Sequence, residues 1–217
     1  MDIRVLLVDD HQMMREGLRT LLDRQPGIQV VGEAVDGWEA VRLARELAPA
    51  VVIMDVSLPG LNGIEATHQI AGTLPETKVI ALSVHSDKRF VAEMLKAGAS
   101  GYLLKAGAFD ELVSAIIAVA LGQTYLSPRV ATFVVDAFRD QHAEKNLSAY
   151  SILTAREREV LQLLAEGHTT KSTAQVLGIS IKTVEVHRQN VMDKLQLHNL
   201  AELVKYAIRE GLITLDP

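Results

Sequence analysis

Four short apolar runs in the first half of the chain each stop on a polar or charged residue. That pattern narrows the fold more than any other feature. Ile3 to Val8 ends on Asp9 and Asp10, Val51 to Met54 on Asp55, Lys78 to Leu82 on Ser83, and Gly101 to Leu104 on Lys105. Continuous apolar, β-branched runs without alternation belong to parallel strands covered on both faces. Segments with helical spacing separate them, as βαβ units require, and right-handed crossovers set the hand. Strands are expected near 3–9, 28–34, 51–56, 78–84 and 101–104. Helices are expected near 12–23, 37–47, 62–72, 87–97 and 109–122, punctuated by Pro26-Gly27, Asp36-Gly37, Pro59-Gly60 and Pro75. The fold expectation for this half is α/β, a doubly wound five-stranded parallel sheet.

In such a sheet ligands gather beyond the carboxyl ends of the strands. Asp9, Asp10 and Asp55 would meet there and resist ionising together unless a hard divalent cation sat among them. An oxygen donor set of this kind suits Mg²⁺, which keeps waters and leaves room for a phosphate oxygen. Ser83 and Lys105 bring a hydroxyl and an ammonium to the same edge, a set that neutralises and hydrogen-bonds a phosphoryl group. Asp55 is the candidate nucleophile, since a carboxylate can form an aspartyl-phosphate. Asp9 and Asp10 also suit a helix N-cap ahead of Gln12.

The chain has 217 residues, room for one large or two ordinary domains. It has no cysteine, hence no disulfide and no thiolate metal site. No apolar run reaches the length of a membrane span, and the start carries no signal-peptide pattern, so a cytoplasmic location is expected. Net charge is −5, unevenly spread. Residues 1–148 hold 14 Lys and Arg against 19 Asp and Glu, whereas 149–217 hold 8 of each. Nucleic-acid contact by the second part therefore needs a local patch rather than a basic domain.

Residues 123–148 are expected as a linker: a turn at Thr124 to Pro128, helical spacing from Val130 to Phe138, and a polar hinge from Gln141 to Ser148. Beyond it the pattern is all helical, near 155–166, 169–177, 181–195 and 199–210. The stretch from Thr169 to Asn190 reads as helix, turn, helix. Ala174 allows a close crossing, Gly178 a tight turn, and Ser180 a cap for the next helix. Val184, Val191 and Leu195 share an apolar face. The opposite face offers Lys182, Thr183, Glu185, Val186, Arg188, Gln189 and Lys194, a mixture suited to phosphates and base edges in a major groove. A merely solvated charged face is the alternative for these residues.

Taken in this order, the motifs resemble a two-component response regulator of the NarL/LuxR type over essentially the whole chain. The receiver part rests on Asp9-Asp10, Asp55, Ser83, Tyr102 and Lys105. The output part rests on Leu153 to Leu161, Ala165-Glu166-Gly167, Thr183 to Arg188 and Met192 to Leu195. The resemblance implies a flavodoxin-like receiver at 1–122, the linker at 123–148 and a four-helix LuxR-type helix-turn-helix domain at 149–217. It implies that Asp55 accepts phosphate from a sensor histidine kinase. Asp9, Asp10, Asp55 and the backbone carbonyl of Ser57 would hold Mg²⁺, Lys105 would pair with the phosphate, and Ser83 and Tyr102 would form a switch pair. The output domain would bind promoter DNA as a homodimer, with RNA polymerase a further partner. The receiver would catalyse only its own phosphorylation and dephosphorylation.

The chain departs from the pattern in places. Ser172-Thr173 stands where Glu-Ile is usual, and Thr173 puts a hydroxyl at an apolar position, where it could bond back to its own helix. Ala106 follows Lys105 where many receivers have Pro, and Val84 is larger than the usual Ala or Gly. His85 lies near the expected phosphorylation site, His187 faces either DNA or the helix packing, and Trp38 is expected to pack at a helix start. A phosphotransferase acting on a diffusible substrate, and a DNA-binding regulator independent of phosphate, are the other function classes these residues admit.

Overall fold

β1 (Ile3–Val8), β2 (Ile28–Ala34), β3 (Val51–Asp55), β4 (Lys78–Ser83), β5 (Gly101–Leu104) and β6 (Tyr125–Leu126) form one parallel sheet, ordered β2-β1-β3-β4-β5-β6. The computed structural model describes residues 2–84, 88–139, 152–210 and 212–213, which fall into two compact units. Val5 to Val8 and Val51 to Asp55 are buried throughout, as strands covered on both faces must be. Side chains alternate along each strand. Val5, Leu7, Ile53, Ile80, Leu82 and Leu103 therefore share a face. Against it pack Leu18 and Leu22 of α1 (Gln12–Leu22) and Leu112, Ala115, Ile116 and Val119 of α5 (Ala108–Ala120). Each fully buried aliphatic side chain of this kind contributes about 1.5–3 kcal/mol of transfer free energy. α2 (Gly37–Leu47) and α3 (Gly63–Thr73) contact the sheet through β1 to β4, and α4 (Lys88–Lys96) packs beside α3.

Among the described residues the sheet has six strands, not the five expected. Ser127 N–H donates to the Tyr102 carbonyl at 3.0 Å and Tyr125 N–H to the Ser100 carbonyl at 3.1 Å, which pairs β6 with β5 in parallel. Two residues are too few to display a strand pattern, and Ser127-Pro128 reads as a turn. The pairing is decided instead by the open edge of β5, whose backbone groups need partners. Pro128 opens α6 (Pro128–Arg139), at the helix position where its missing N–H costs least. Residues 125–139 of the expected linker thus carry structure and belong to the first unit. The expected hinge at 141–148 lies outside the described residues.

Among the described residues, the second unit has four helices: α7 (Ala155–Ala165), α8 (Thr170–Val176), α9 (Ile181–Leu195) and α10 (Leu200–Arg209). Thr154 and Glu157 form a reciprocal capping box at the start of α7. Gly178, at φ +63°, makes the turn after α8. Ser180 caps α9 by accepting from Thr183 N–H at 3.1 Å. Val184 and Val191 are fully buried, and Val160, Leu163, Ala174 and Leu203 are buried in the same unit. α9 packs on α7 and α8, and α10 on α7. Among the described residues no helix is long and apolar enough to cross a membrane.

Candidate functional site

Strand register assembles the site. Val8 pairs with Met54, so Asp9 and Asp55 follow side by side at the ends of β1 and β3. This is where the strand order reverses, the place where an α/β sheet opens a crevice. Asp55 pairs with Leu82 and Ser83 with Leu104, so Ser83 and Lys105 step outward along the same edge. Asp9 and Asp55 are 1% and 3% exposed.

Lys105 Nζ lies 2.7 Å from Asp9 Oδ2 and 2.7 Å from Asp55 Oδ2. Asp55 Oδ1 accepts from Ser57 N–H at 3.2 Å. Burial pushes the Asp55 carboxyl up to about 6; Lys105 opposes that rise and the Asp9 charge adds to it. Burial also works against the charge on Lys105, but Asp55 and Asp9 outweigh it and hold the ammonium above its ordinary value. Both directions have one origin, a single ammonium shared by two buried carboxylates.

That imbalance is what a cation would correct. Asp9, Asp10, His11 and Asp55 each bring one ligand atom within 4.8 Å of the others. Asp9 Oδ2 is buried and accepts no hydrogen bond, meeting Lys105 only as an ion. Clustered, under-neutralised carboxylate oxygens fit Mg²⁺. Ser57 lies two residues beyond Asp55, half-buried. Ser83 and Tyr102 are both fully buried. Val84 stands 68% exposed at the rim, and His85 lies outside the described residues.

Neither Asp9 nor Asp10 is the N-cap of α1. That position is His11, whose ring makes no cap hydrogen bond. Asp9 Oδ1 accepts from the His11 N–H instead, at 2.9 Å. The carboxylates are thus held for the cluster rather than spent on the helix. Three supporting residues were not singled out from sequence. Arg15 donates to the Asp9 carbonyl at 2.7 Å. His11 Nδ1 sits 2.7 Å from Asp10 Oδ1. Gly63 lies under Asp55, where any Cβ would collide with the Asp55 carbonyl oxygen. The triplet Asp9-Asp10-His11 was the available signal for His11; Gly63 had none beyond its place near a helix start.

In the second unit, Lys182, Glu185, Val186 and Gln189 are exposed on α9. Other residues expected on that face are engaged elsewhere. Lys194 Nζ bonds both carboxylate oxygens of Glu157, at 2.9 and 2.6 Å, tying α9 to α7. Thr183 Oγ1 shares a hydrogen bond with the Ser180 cap at 2.8 Å. Gln189 Nε2 donates to Asp193 at 2.8 Å, an exposed pair that costs little to open. Arg188 and His187 are half-buried, and His187 Nδ1 has no hydrogen bond. Thr173 is fully buried and its hydroxyl is unpaired, so it does not bond back to its helix.

Residues 5–117 match the response regulator receiver domain family, and residues 151–207 match the luxR family of bacterial regulatory proteins. The chain is similar to the transcriptional regulatory protein LiaR of Bacillus subtilis, 44% identical over 211 residues, covering 97% of this chain and 99% of LiaR. It is similar to the response regulator UvrY of Escherichia coli, 40% identical over 210 residues, covering 97% of this chain and 95% of UvrY. A crystal structure of a LuxR-family two-component response regulator from Aurantimonas overlaps 64% of this chain and 100% of its own, at TM-score 0.62 and 41% identity. RcsB from Salmonella enterica serovar Typhimurium, bound to promoter rprA with the phosphomimetic BeF₃⁻, overlaps 95% of this chain and 98% of its own, at TM-score 0.62 and 26% identity.

Proposed function

The chain belongs to the LuxR family of two-component response regulators, and from that premise we propose that Asp55 accepts the phosphoryl group of a sensor histidine kinase. A receiver and a LuxR-type helix-turn-helix in one chain make it a DNA-binding transcriptional regulator under phosphorylation control. The observation that carries the assignment to Asp55 is the Lys105 ammonium, 2.7 Å from both Asp9 and Asp55.

The ionised Asp55 carboxylate forms an O–P bond as the P–N bond breaks in a phosphohistidine protonated on its other ring nitrogen; the bonding pair stays on the released nitrogen, and a neutral imidazole leaves. Lys105 transfers its contact from the carboxylate to a phosphoryl oxygen. Ser83 donates a hydrogen bond to another, and Tyr102 repacks in answer to the Ser83 movement. Asp9, Asp10, Asp55 and the Ser57 carbonyl would hold Mg²⁺, which when bound supplies positive charge against the phosphoryl oxygens.

Promoter DNA is read by α9 in two copies of the chain. Lys182 and Arg188 take phosphates or guanine edges, Gln189 a base edge, and Val186 a thymine methyl. Glu185 on the same face and the balanced charge of the unit imply few phosphate contacts and a shallow salt slope. RNA polymerase is the further partner, and the cytoplasm the place of action.

Intact mass after incubation with acetyl phosphate and Mg²⁺ tests the assignment. One phosphoryl adduct on the wild type, absent from Asp55→Asn and from metal-stripped protein, is expected. An adduct that persists in Asp55→Asn would assign the phosphate elsewhere.

A further inference from the structure

We propose that His11 is a ligand of the cation site through Nδ1, and that it turns the site toward first-row transition ions such as Mn²⁺, Co²⁺ and Ni²⁺ beyond what the carboxylates alone provide. The proposal rests on the reading of Asp9, Asp10 and Asp55 as the cation-binding acids. It concerns a residue that the four-oxygen set of that reading does not contain.

Geometry is the first support. His11 Nδ1 lies 2.7 Å from Asp10 Oδ1 and 3.3 Å from Asp9 Oδ1. Neighbouring ligands about an octahedral ion with bonds of about 2.1 Å stand roughly 3.0 Å apart. The two distances bracket that edge, so His11 Nδ1 already stands at the spacing from both acids that neighbouring ligands of one ion require. Asp55 supplies a fourth atom within 4.8 Å.

The second support is how the ring is deployed. Asp36, Asn62, Thr154, Thr169, Ser180 and Asn199 each occupy an N-cap position and turn a side-chain oxygen onto their own helix. His11 occupies the same position on α1 and makes no such bond. Its N–H is fixed to Asp9 Oδ1, which sets the residue's orientation, and its ring points at the acids. The side chain is 61% exposed, so it has freedom to adjust by a fraction of an ångström and to admit an ion from solvent.

The consequence follows from ligand chemistry. Mg²⁺ prefers oxygen and holds its waters, whereas imidazole nitrogen favours later first-row ions, with affinity rising from Mn²⁺ through Co²⁺ to Ni²⁺. A His beside three carboxylates therefore adds little for Mg²⁺ and much for Ni²⁺. The competing account is that His11 only pairs with Asp10 and steers it. Removal of the ring would then affect every divalent ion alike.

Calorimetric titration of the untagged full-length chain with Mg²⁺ and with Ni²⁺ separates the two, using wild type, His11→Ala and His11→Gln. His11→Ala should leave Mg²⁺ binding within about twofold. It should weaken Ni²⁺ by on the order of tenfold or more, at least what loss of an outer-shell partner costs a metal site. Pulsed EPR of the Mn²⁺-loaded protein should reveal imidazole nitrogen coupling in wild type and not in His11→Ala. Equal losses for Mg²⁺ and Ni²⁺, no loss for Ni²⁺, or nitrogen coupling that persists in His11→Ala would each overturn the proposal. Acetyl phosphate labelling of His11→Ala with Mg²⁺ reports on the underlying reading separately. Labelling of Asp55 there keeps the acid site intact even if His11 proves not to be a ligand.

Discussion

In the first unit the two carboxylates nearest the shared ammonium are buried. Asp9 and Asp55 are almost fully enclosed and share one ammonium. In the second unit Lys182, Glu185 and Gln189 of α9 stand in solvent, and an enclosed carboxylate, Glu157, is used to join α9 to α7 through Lys194. Enclosure strengthens electrostatic interactions and shifts a carboxyl toward neutrality, which suits covalent chemistry at a fixed place. Exposure leaves Lys182 and Gln189 within reach of a varied DNA surface. The same residue types thus do different work according to the water around them.

If the buried site depends on its scaffold, damage beneath it should be the most severe. Gly63→Ala places a methyl group against the Asp55 carbonyl and close to Val56 Cα. The backbone has to move, and a loss of several kcal/mol, on the scale of overpacking plus strain, is expected. Trp38, the single tryptophan, lies in the first unit, so its fluorescence during urea unfolding of the full chain reports this unit. A Gly63→Ala midpoint equal to wild type would mean that α3 slides away from β3 at little cost.

The next test concerns the shared ammonium. Asp55 has its folded-state pKa raised from 3.8 to about 6. For a raised carboxyl, the folded state holds the proton more tightly. Its contribution to stability is fully present below about 3.8 and is lost as pH rises through about 6, worth on the order of 3 kcal/mol. In EDTA, wild type should therefore lose stability across that window relative to Asp55→Asn, and stay level above it. Mg²⁺ should return part of the loss, because a bound cation favours the ionised form. Parallel pH profiles for the two proteins would show that Lys105 alone satisfies both carboxylates.

The third test sets two lysines of one helix against each other. Burial works against the charge of Glu157, but Lys194 and the Thr154 N–H outweigh it and hold the carboxyl below its ordinary value. Lys194→Ala removes that partner and should destabilise the second unit by about 1–2 kcal/mol, the scale of a charged hydrogen bond. Lys182→Ala should leave stability unchanged and weaken operator binding, lowering the salt slope by about 0.9 if it meets one phosphate. Helical content followed in urea, beside anisotropy on one operator, separates the two effects. Should Lys194→Ala reduce DNA affinity without loss of stability, Lys194 would return to the groove face.

What could be read from the sequence follows the same division. The strand ends were legible because a buried parallel strand is an apolar run, and its first polar residue marks the edge of the sheet. Asp9, Asp55, Ser83 and Lys105 needed no knowledge of distant contacts. Lys194 did: its partner lies 37 positions away, and helical periodicity alone puts it on a polar face. β6 was illegible because its two residues are recruited by the edge of β5 rather than by their own preference. His11 was hidden by Asp10, which looks like a cap until the backbone shows which residue holds that position.

The smallest effect expected lies in the core of the second unit. Thr173 is fully buried, and its hydroxyl finds no partner. Its neighbour Ser172 is better used, with its hydroxyl 3.0 Å from His168 Nδ1 and its N–H capped by Thr169. A buried hydroxyl without a hydrogen bond costs roughly 1–3 kcal/mol, and Val has nearly the same shape without that cost. Thr173→Val should therefore stabilise the second unit by about 1 kcal/mol, the lower end of the range because small shifts of α8 relieve part of the penalty. Thr173→Ser keeps the hydroxyl and removes a methyl group, so it should destabilise. Urea midpoints followed by helical content would decide it, with Trp38 fluorescence unchanged in both variants. If Thr173→Val is the less stable protein, the hydroxyl has a partner that opens and closes with the motions of α8. The core of this unit would then be less dry than that of the first.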